Sequence, residues 1–400
     1  MFTHHIRWVP FELTAALIDK DKFDIDYFIL GSNDPIINFL RAHNIGFKCH
    51  DFIDYSNTPE AVKLVYDHLV ANKTDIVQTH WFAGSLVGIQ AAYYANVPVR
   101  IFHREHPPLC FYSRHSTSKH RLIWDCCSHV IAVTNKSKLG MIEDGIQADK
   151  ISVIPTGFDP EGFLSVTRER VDSLKERYLA TTALKARHPV IGVAARYVKW
   201  KGIEYVIEAF REVLSHYPQA LLILSGSHVD RSLLEDSIKN SSLGDIVSPP
   251  YRDALNIIDT LSRLPDESYL EIPFEEDVYS LFRMFDVFVH APVDDIQETF
   301  GQVYVEAMFS KVPSVVTLSG SALDHAIHRE TAWVVDYMNS SQIATGIMAL
   351  LDDSELRRSI VENAFAYALE HYSIGKHMRS LEDLYLHLWR TATSESDPSC

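Results

Sequence analysis

Glu298-Thr299-Phe300-Gly301-Gln302-Val303-Tyr304-Val305-Glu306-Ala307-Met308 carries a carboxylate at each end, with Phe-Gly just after the first and an apolar stretch leading to the second. If Gly301 opens a helix, Val303 to Glu306 spans about one turn. Glu306 then faces a cleft one to two turns above Glu298. Buried paired carboxylates are costly unless they bind hydroxyls, cations or a charged ligand. On spacing alone the pair reads equally well as a solvated loop Glu followed by a helix-surface Glu.

The flanking sequence favours a site. Upstream, Tyr279 to Phe285 reads as an amphipathic helix end that runs into the apolar strand Val287-Phe288-Val289-His290. Downstream, Val312-Pro313-Ser314-Val315-Val316-Thr317 reads as another strand. The glutamates thus occupy a loop and a helix start at the carboxyl end of a strand, where open α/β sheets bind ligands. The run resembles the nucleotide-sugar motif of family-4 retaining glycosyltransferases (glycosyl transferases group 1), written Glu-x-Phe-Gly-x-x-x-x-Glu-Ala-Met. That family has the GT-B fold.

A second motif lies earlier, in Ala194-Ala195-Arg196-Tyr197-Val198-Lys199-Trp200-Lys201-Gly202. A guanidinium and an ammonium at a strand's carboxyl end suit a diphosphate. Gly202 lets the backbone approach closely as the next helix begins, and a helix amino end favours an anion. Alone, this is also how a solvated basic loop reads. The family places Arg and Lys at this spacing to neutralise the leaving nucleoside diphosphate, so the resemblance rests on two separated motifs in order.

At 400 residues the chain suits two α/β domains. Its 46% hydrophobic and 22% charged content fits a globular protein. The net charge of −16 disfavours a general nucleic-acid binder. Charge is roughly balanced up to Arg187, so the excess acid lies in the second half. The first half holds most of the 20 histidines and suits an anionic acceptor or a membrane surface better. The five cysteines show no Cys-x-x-Cys spacing, which predicts reduced thiols and a cytoplasmic protein. No signal peptide and no apolar run of membrane-spanning length is visible. Trp81 to Val97 reads as a buried helix.

Strand and helix alternate throughout, which predicts parallel sheets. Predicted strands are Asp26–Leu30, Phe47–Cys49, Ile76–Thr79, Val99–His103, His129–Val133 and Ile151–Ile154. Predicted helices are Ile6–Ile18, Pro35–His43, Pro59–Asn72, Ala83–Ala95, Lys119–Cys127 and Asn135–Asp144. After a charged helical connector, Val166 to Leu184, the second series begins with a strand at Pro189 to Ala194. Its other strands are Ala220–Leu224, Ser268–Glu271, Val287–His290, Ser314–Val316 and Ala332–Val335. Its helices are Ile203–His216, Ser232–Asn240, Asp277–Phe285, Gln302–Phe309 and Ser341–Leu351, followed by a long helical tail. The predicted division is an acceptor-binding domain over 1–170, a connector over 171–187 and a nucleotide-sugar-binding domain over 188–372. Residues 373–400 are expected to form a helix on the first domain and a disordered tail.

Weaker signals complete the reading. Ser225-Gly226-Ser227 matches a Gly-containing turn near the nucleotide base in the family, and is otherwise an ordinary strand-end turn. Ser319-Gly320-Ser321 resembles the family's Gly-Gly turn, with Ser321 in place of the second Gly. Thr156-Gly157-Phe158-Asp159 resembles its interdomain turn. A His at the end of a first-domain strand contacts the donor sugar in the family; His103 fits by spacing from Pro98, with His106 as the alternative. Asp24-Ile25-Asp26 looks like a metal-binding Asp-x-Asp but sits far from the other motifs in order, so no metal is assigned.

The resemblance runs from Ile6 to about Tyr372 and departs from the family at the start. Family members begin with a buried strand and a Gly-Gly turn, whereas here His4 and His5 occupy roughly the Gly-Gly positions. That predicts a destabilised first domain, weak transfer and a second domain that still binds nucleotide. The resemblance implies a GT-B protein of two doubly wound domains facing across a cleft, catalysing retaining sugar transfer of the kind used in polysaccharide biosynthesis. The implied catalytic residues are Arg196 and Lys201 at the diphosphate, Glu298 at the transferred sugar with backbone amides near Phe300 and Gly301, and His103. Glu306 would accept the ribose hydroxyls. The donor is a nucleoside-diphosphate sugar, no further cofactor is implied, and the acceptor is a glycan or lipid-linked molecule, with peripheral membrane contact through the first domain. A nucleotide-sugar-binding scaffold or an epimerase of the same fold is the alternative.

Overall fold

The structure, a computed structural model, describes residues 9–31, 34–50, 58–105, 114–179, 182–226, 249–272 and 274–394. His4, His5, His106, Ser227, the expected helix Ser232–Asn240 and the expected tail beyond 394 lie outside the described residues. The chain forms two compact units, Met1–Phe158 with His371–Cys400, and Asp159–Glu370.

In the first unit helices and strands alternate: α1 (Val9–Leu17), β1 (Asp26–Leu30), α2 (Asp34–Ala42), β2 (Gly46–His50), α3 (Thr58–Asn72), β3 (Ile76–His80), α4 (Phe82–Tyr94), β4 (Val99–Arg104), α5 (Arg114–Cys126), β5 (His129–Ala132), α6 (Asn135–Glu143) and β6 (Ile151–Val153). Every pairing is parallel. Parallel strands bury both faces, which is why β4 and β5 are buried along almost their whole length. Among the described residues, however, the strands do not form one sheet. β1 pairs with β2, and β3 to β6 form a separate sheet in chain order.

The second unit opens with α7 (Pro160–Leu164), α8 (Arg168–Tyr178) and α9 (Thr182–Lys185). The sequence reading gives these residues to the end of the first domain and a connector. The structure packs them into the second unit: Arg170 is 2.6 Å from Asp277, and Leu174 is buried with Leu281 and Phe282. Then follow β7 (Val190–Ala194), α10 (Ile203–His216), β8 (Leu221–Ser225), α11 (Pro249–Leu261), β9 (Tyr269–Ile272), α12 (Val278–Phe282), β10 (Val287–His290), α13 (Gln302–Phe309), β11 (Ser314–Val316), α14 (Ala322–His325), β12 (Trp333–Val334), α15 (Ser340–Asp352) and α16 (Ser354–Tyr372). One six-stranded parallel sheet has the order β12-β11-β10-β7-β8-β9. The central strands β7, β8 and β10 sit between two apolar clusters, one under α10 and α15 and one under α8 and α12.

The last helix, α17 (Ile374–Ser394), belongs to the first unit. Its Met378, Leu381 and Tyr385 are buried with Val99, Ile101 and Ile131. Among the described residues, no helix is long and apolar enough to cross a membrane.

Candidate active site

Three chain segments of the second unit meet at the carboxyl ends of β7, β10 and β11. After β7 the chain exposes Arg196, makes a short turn over Lys199–Lys201 and reaches Gly202 at φ +67°. A Cβ there would lie 2.1 Å from the carbonyl oxygen of Ala291, just past β10. Only glycine allows both that backbone conformation and that approach. The approach fixes the β7 loop against the β10 loop and turns Lys201 inward.

Lys201 donates to Glu298, and both side chains are about nine-tenths buried. His290, the last residue of β10, is 1% exposed, with Nε2 3.0 Å from the same Glu298 oxygen. Burial, aided by the Lys201 charge, pushes the imidazole down to about 4, so it is neutral at pH 7 and donates its Nε2–H. Burial by itself would raise Glu298. The Lys201 ammonium and the His290 hydrogen bond outweigh it and hold the carboxyl at about 2. Tyr304 stands edge-on to His290, with ring centroids 4.7 Å apart, and fixes the ring's plane.

Two glycines frame the carboxylate. Gly301 has φ +76°, and an added Cβ would lie 2.6 Å from Tyr304 and 3.3 Å from the Glu298 carboxyl carbon. Gly320 has φ +54°, and an added Cβ would lie 2.7 Å from the Phe300 carbonyl oxygen and 2.8 Å from Glu298 Cγ. Ser321 donates its backbone N–H to the same Phe300 carbonyl at 2.8 Å. The Ser319-Gly320-Ser321 turn therefore buttresses Glu298 from behind.

Glu306 lies in the second turn of α13. It is partly buried and, among the described residues, has no side-chain hydrogen bond or ion pair. Burial raises it to about 7. The Arg196 side chain likewise has no hydrogen bond or ion pair among the described residues; its guanidinium lies 5.9 Å from the Trp200 ring centroid, and Lys201 Nζ lies 4.4 Å from the same ring. Gly226 follows β8 at φ +113°, where a Cβ would meet the Ala195 carbonyl oxygen at 2.6 Å. The turn after β8 is thereby held beside the start of the Arg196 loop. The second unit thus offers an exposed guanidinium, an ammonium with N–H capacity to spare, and a carboxylate without a partner.

His103 is in the first unit, near the end of β4, with His80 as its register partner on β3. It is 5% exposed, burial pushes it down to about 3, and neither ring nitrogen has a hydrogen-bond partner among the described residues. His80, His103 and Glu105 bring ligand-type atoms within 4.8 Å of one another, a grouping the sequence reading does not assign. Asp26, of the discounted Asp-x-Asp, pairs with His68 at 2.6 Å.

Sequence reasoning missed His290 as a partner of Glu298. Its signal was a lone His ending an otherwise apolar strand, eight residues before the carboxylate.

The chain matches the family described as Glycosyltransferase Family 4 over residues 11–161, and Glycosyl transferases group 1 over 268–367. Together these cover more than half of the chain, and the chain belongs to this family. It is 26% identical over 263 residues to the capsular polysaccharide biosynthesis glycosyltransferase CapM of Staphylococcus aureus, covering 65% of this chain and 62% of that protein. It is 22% identical over 383 residues to the UDP-Gal:α-D-GlcNAc-diphosphoundecaprenol α-1,3-galactosyltransferase of Escherichia coli, covering 92% and 90%. Anabaena Alr3699/HepE, solved in complex with UDP-glucose, superposes with a TM-score of 0.75 at 20% identity, covering 96% and 97%. The fold is therefore GT-B. The matched region spans about three-fifths of CapM and of the Bacillus subtilis glycosyltransferase YtcC.

Proposed function

We propose that this chain transfers a hexose from a uridine-diphosphate sugar to a hydroxyl of a glycan or lipid-linked acceptor, retaining the anomeric configuration. The observation that carries the reading is the Lys201–Glu298–His290 cluster with the exposed Arg196 beside it. When the bond between the anomeric carbon and the diphosphate oxygen breaks, its electron pair stays on that oxygen, and the two cations stabilise the negative charge that develops there. Fixed charges aimed at developing negative charge are the largest kind of catalytic contribution. Glu298, held ionised and in place, hydrogen-bonds hydroxyls of the transferred sugar together with backbone amides near Phe300 and Gly301. Glu306 accepts from the ribose hydroxyls, and the turn at Gly226 lies at the base.

The uridine donor is supported by the Anabaena complex and the Escherichia coli relative, and the lipid-linked acceptor by the latter. The acceptor is assigned to the first unit. The test is calorimetry with UDP-, GDP- and ADP-sugars, followed by a transfer assay on diphosphate-lipid and oligosaccharide acceptors. The reading requires tighter binding of a UDP-sugar and a product of retained configuration. Binding without transfer to any acceptor would leave a nucleotide-sugar-binding scaffold.

A further inference from the structure

At the carboxyl ends of β3 and β4, three side chains of metal-ligand type turn to one face of the first unit's larger sheet. His80 ends β3, and His103 stands beside it on β4 as its register partner in a parallel pair. Neighbouring register partners share a face, and so do residues two apart along a strand, which puts Glu105 with them. Arg104, between His103 and Glu105, turns the other way and pairs with Asp144 at 2.8 Å. The His80 and His103 ring centroids are 4.7 Å apart, and His80 Nδ1 is 3.6 Å from Glu105 Oε1. One ligand-type atom from each of the three lies within 4.8 Å of the other two.

Ligand atoms about 2.0–2.2 Å from a tetrahedral ion stand roughly 3.3–3.6 Å from one another. The His80–Glu105 pair is already at that spacing, and small side-chain rotations bring His103 to it. His103 points to a ligand independently of this spacing. Its side chain is 5% exposed, and neither ring nitrogen has a hydrogen-bond partner among the described residues. Buried polar atoms are nearly always paired, and leaving two unpaired on one ring is costly.

The surroundings prepare the rings to ligate. His377 of α17 lines a cavity together with all three, and its Nδ1 is 2.7 Å from the Pro155 carbonyl oxygen. A carbonyl only accepts, so Nδ1 carries the hydrogen and Nε2 keeps its lone pair. Metal-bound histidines are commonly held in this way. His80 Nε2 is 2.9 Å from the Gln78 amide nitrogen, and the Gln78 amide oxygen accepts from the Tyr385 hydroxyl at 2.8 Å. Turning that amide over lets its oxygen accept from His80 Nε2–H and its nitrogen donate to Tyr385, which frees His80 Nδ1 for an ion.

We infer that His80, His103 and Glu105 form a site for one zinc ion, with the fourth position falling to His377 or water. Two imidazoles and a carboxylate are a donor set for zinc, whereas magnesium and calcium take oxygen ligands. The ion takes no part in the leaving-group chemistry proposed for Arg196 and Lys201. It ties the ends of β3 and β4 together, so binding stabilises the folded chain.

The test uses the full chain stripped of metal with EDTA. Zinc binding is read by calorimetry, coordination by the visible absorption of cobalt(II) in zinc's place, and stability by the melting temperature. The unsubstituted chain should bind zinc, give the intense absorption of four-coordinate cobalt, and melt higher with zinc but not with magnesium. His103→Phe and Glu105→Gln should each weaken the tightest zinc site at least about tenfold and abolish the cobalt absorption. Glu105→Gln keeps the side chain's size, so it decides the matter if His103→Phe fails to fold. No zinc binding by the unsubstituted chain, or zinc affinity and cobalt absorption that survive Glu105→Gln, would overturn the inference.

Discussion

Glu306 and Glu298 belong to one motif and face opposite electrostatic conditions. Glu306 is raised by burial from 4.5 to about 7. Between those values the folded chain holds a proton that the unfolded chain releases, so this group's contribution to stability falls as pH rises from 4.5 through 7. With Glu306 accepting from the ribose hydroxyls, as proposed, binding needs the carboxylate, so donor affinity should rise across the same upper range, from pH 6 to 8. Glu306→Gln should flatten both trends. It should also weaken donor binding at pH 8 by at least about tenfold, since losing a charged hydrogen bond costs roughly 1.5–3 kcal/mol. Equal donor affinity for wild type and mutant by calorimetry would remove Glu306 from the site. Glu298, at about 2, and His290, at about 4, behave in the opposite way. Both bind more protons when unfolded, so their stabilisation is complete above about 6.5 and is lost as pH falls toward 2. Lys201→Met or Glu298→Gln each strands a buried group, at about 3–5 kcal/mol. The double mutant should cost less than the sum by at least about 1 kcal/mol. Additive losses in denaturant melts would mean that the two side chains do not share one interaction.

Among the elements, the loops at the carboxyl ends of β7, β10 and β11 act through backbone contacts as much as through side chains. Gly320→Ala puts a methyl against Phe300 and Glu298 in a left-handed backbone conformation. We expect at least about 1 kcal/mol of destabilisation and a larger loss of turnover, because the carboxylate itself is displaced. A variant that melts lower yet turns over normally would show that Glu298 position is not critical. On the proposed function, the two cations at the end of β7 neutralise the leaving group without a divalent ion, so transfer should survive excess EDTA. Complete loss restored by magnesium or manganese would refute that.

Most elements of the second unit were legible because each strand is a short apolar run and each helix has a clear apolar face. Helix Gln302–Phe309 and strand Val287–His290 were read to the residue. The sequence reading assigns no element to helix α11. Its opening Pro249-Pro250 looks like a break, although proline is tolerated in a helix's first turn. Ala254, Ile257 and Leu261 behind it are fully buried at helical spacing. The two acidic positions and the Arg–Lys pair were readable as motifs. That Lys201 and Glu298 neutralise each other was not, because nothing local in the sequence specifies a pairing 97 residues apart.

For the molecule as a whole, the two units differ in how completely their sheets are bonded. Among the described residues, the second has six strands in one sheet, while those of the first fall into sheets of two and four. Calorimetric heating should therefore give two transitions. Addition of UDP should raise only the one belonging to Asp159–Glu370. A single transition that moves as a whole with UDP would show that the units melt together.

The Lys201–Glu298 contact also sets an order of events during synthesis. A ribosome that has released β7 and its two cations must still make the better part of a hundred residues before the carboxylate appears. Until then a buried ammonium has no counter-charge, and β7 lacks its neighbour β10. On the proposed function, the nascent chain should accordingly not hold a nucleotide at the stage when its first unit has already emerged, and ligand capture should be acquired near the end of translation. Stalled chains ending before residue 298 should fail to be retained on immobilised UDP, whereas chains released past α16 should be retained.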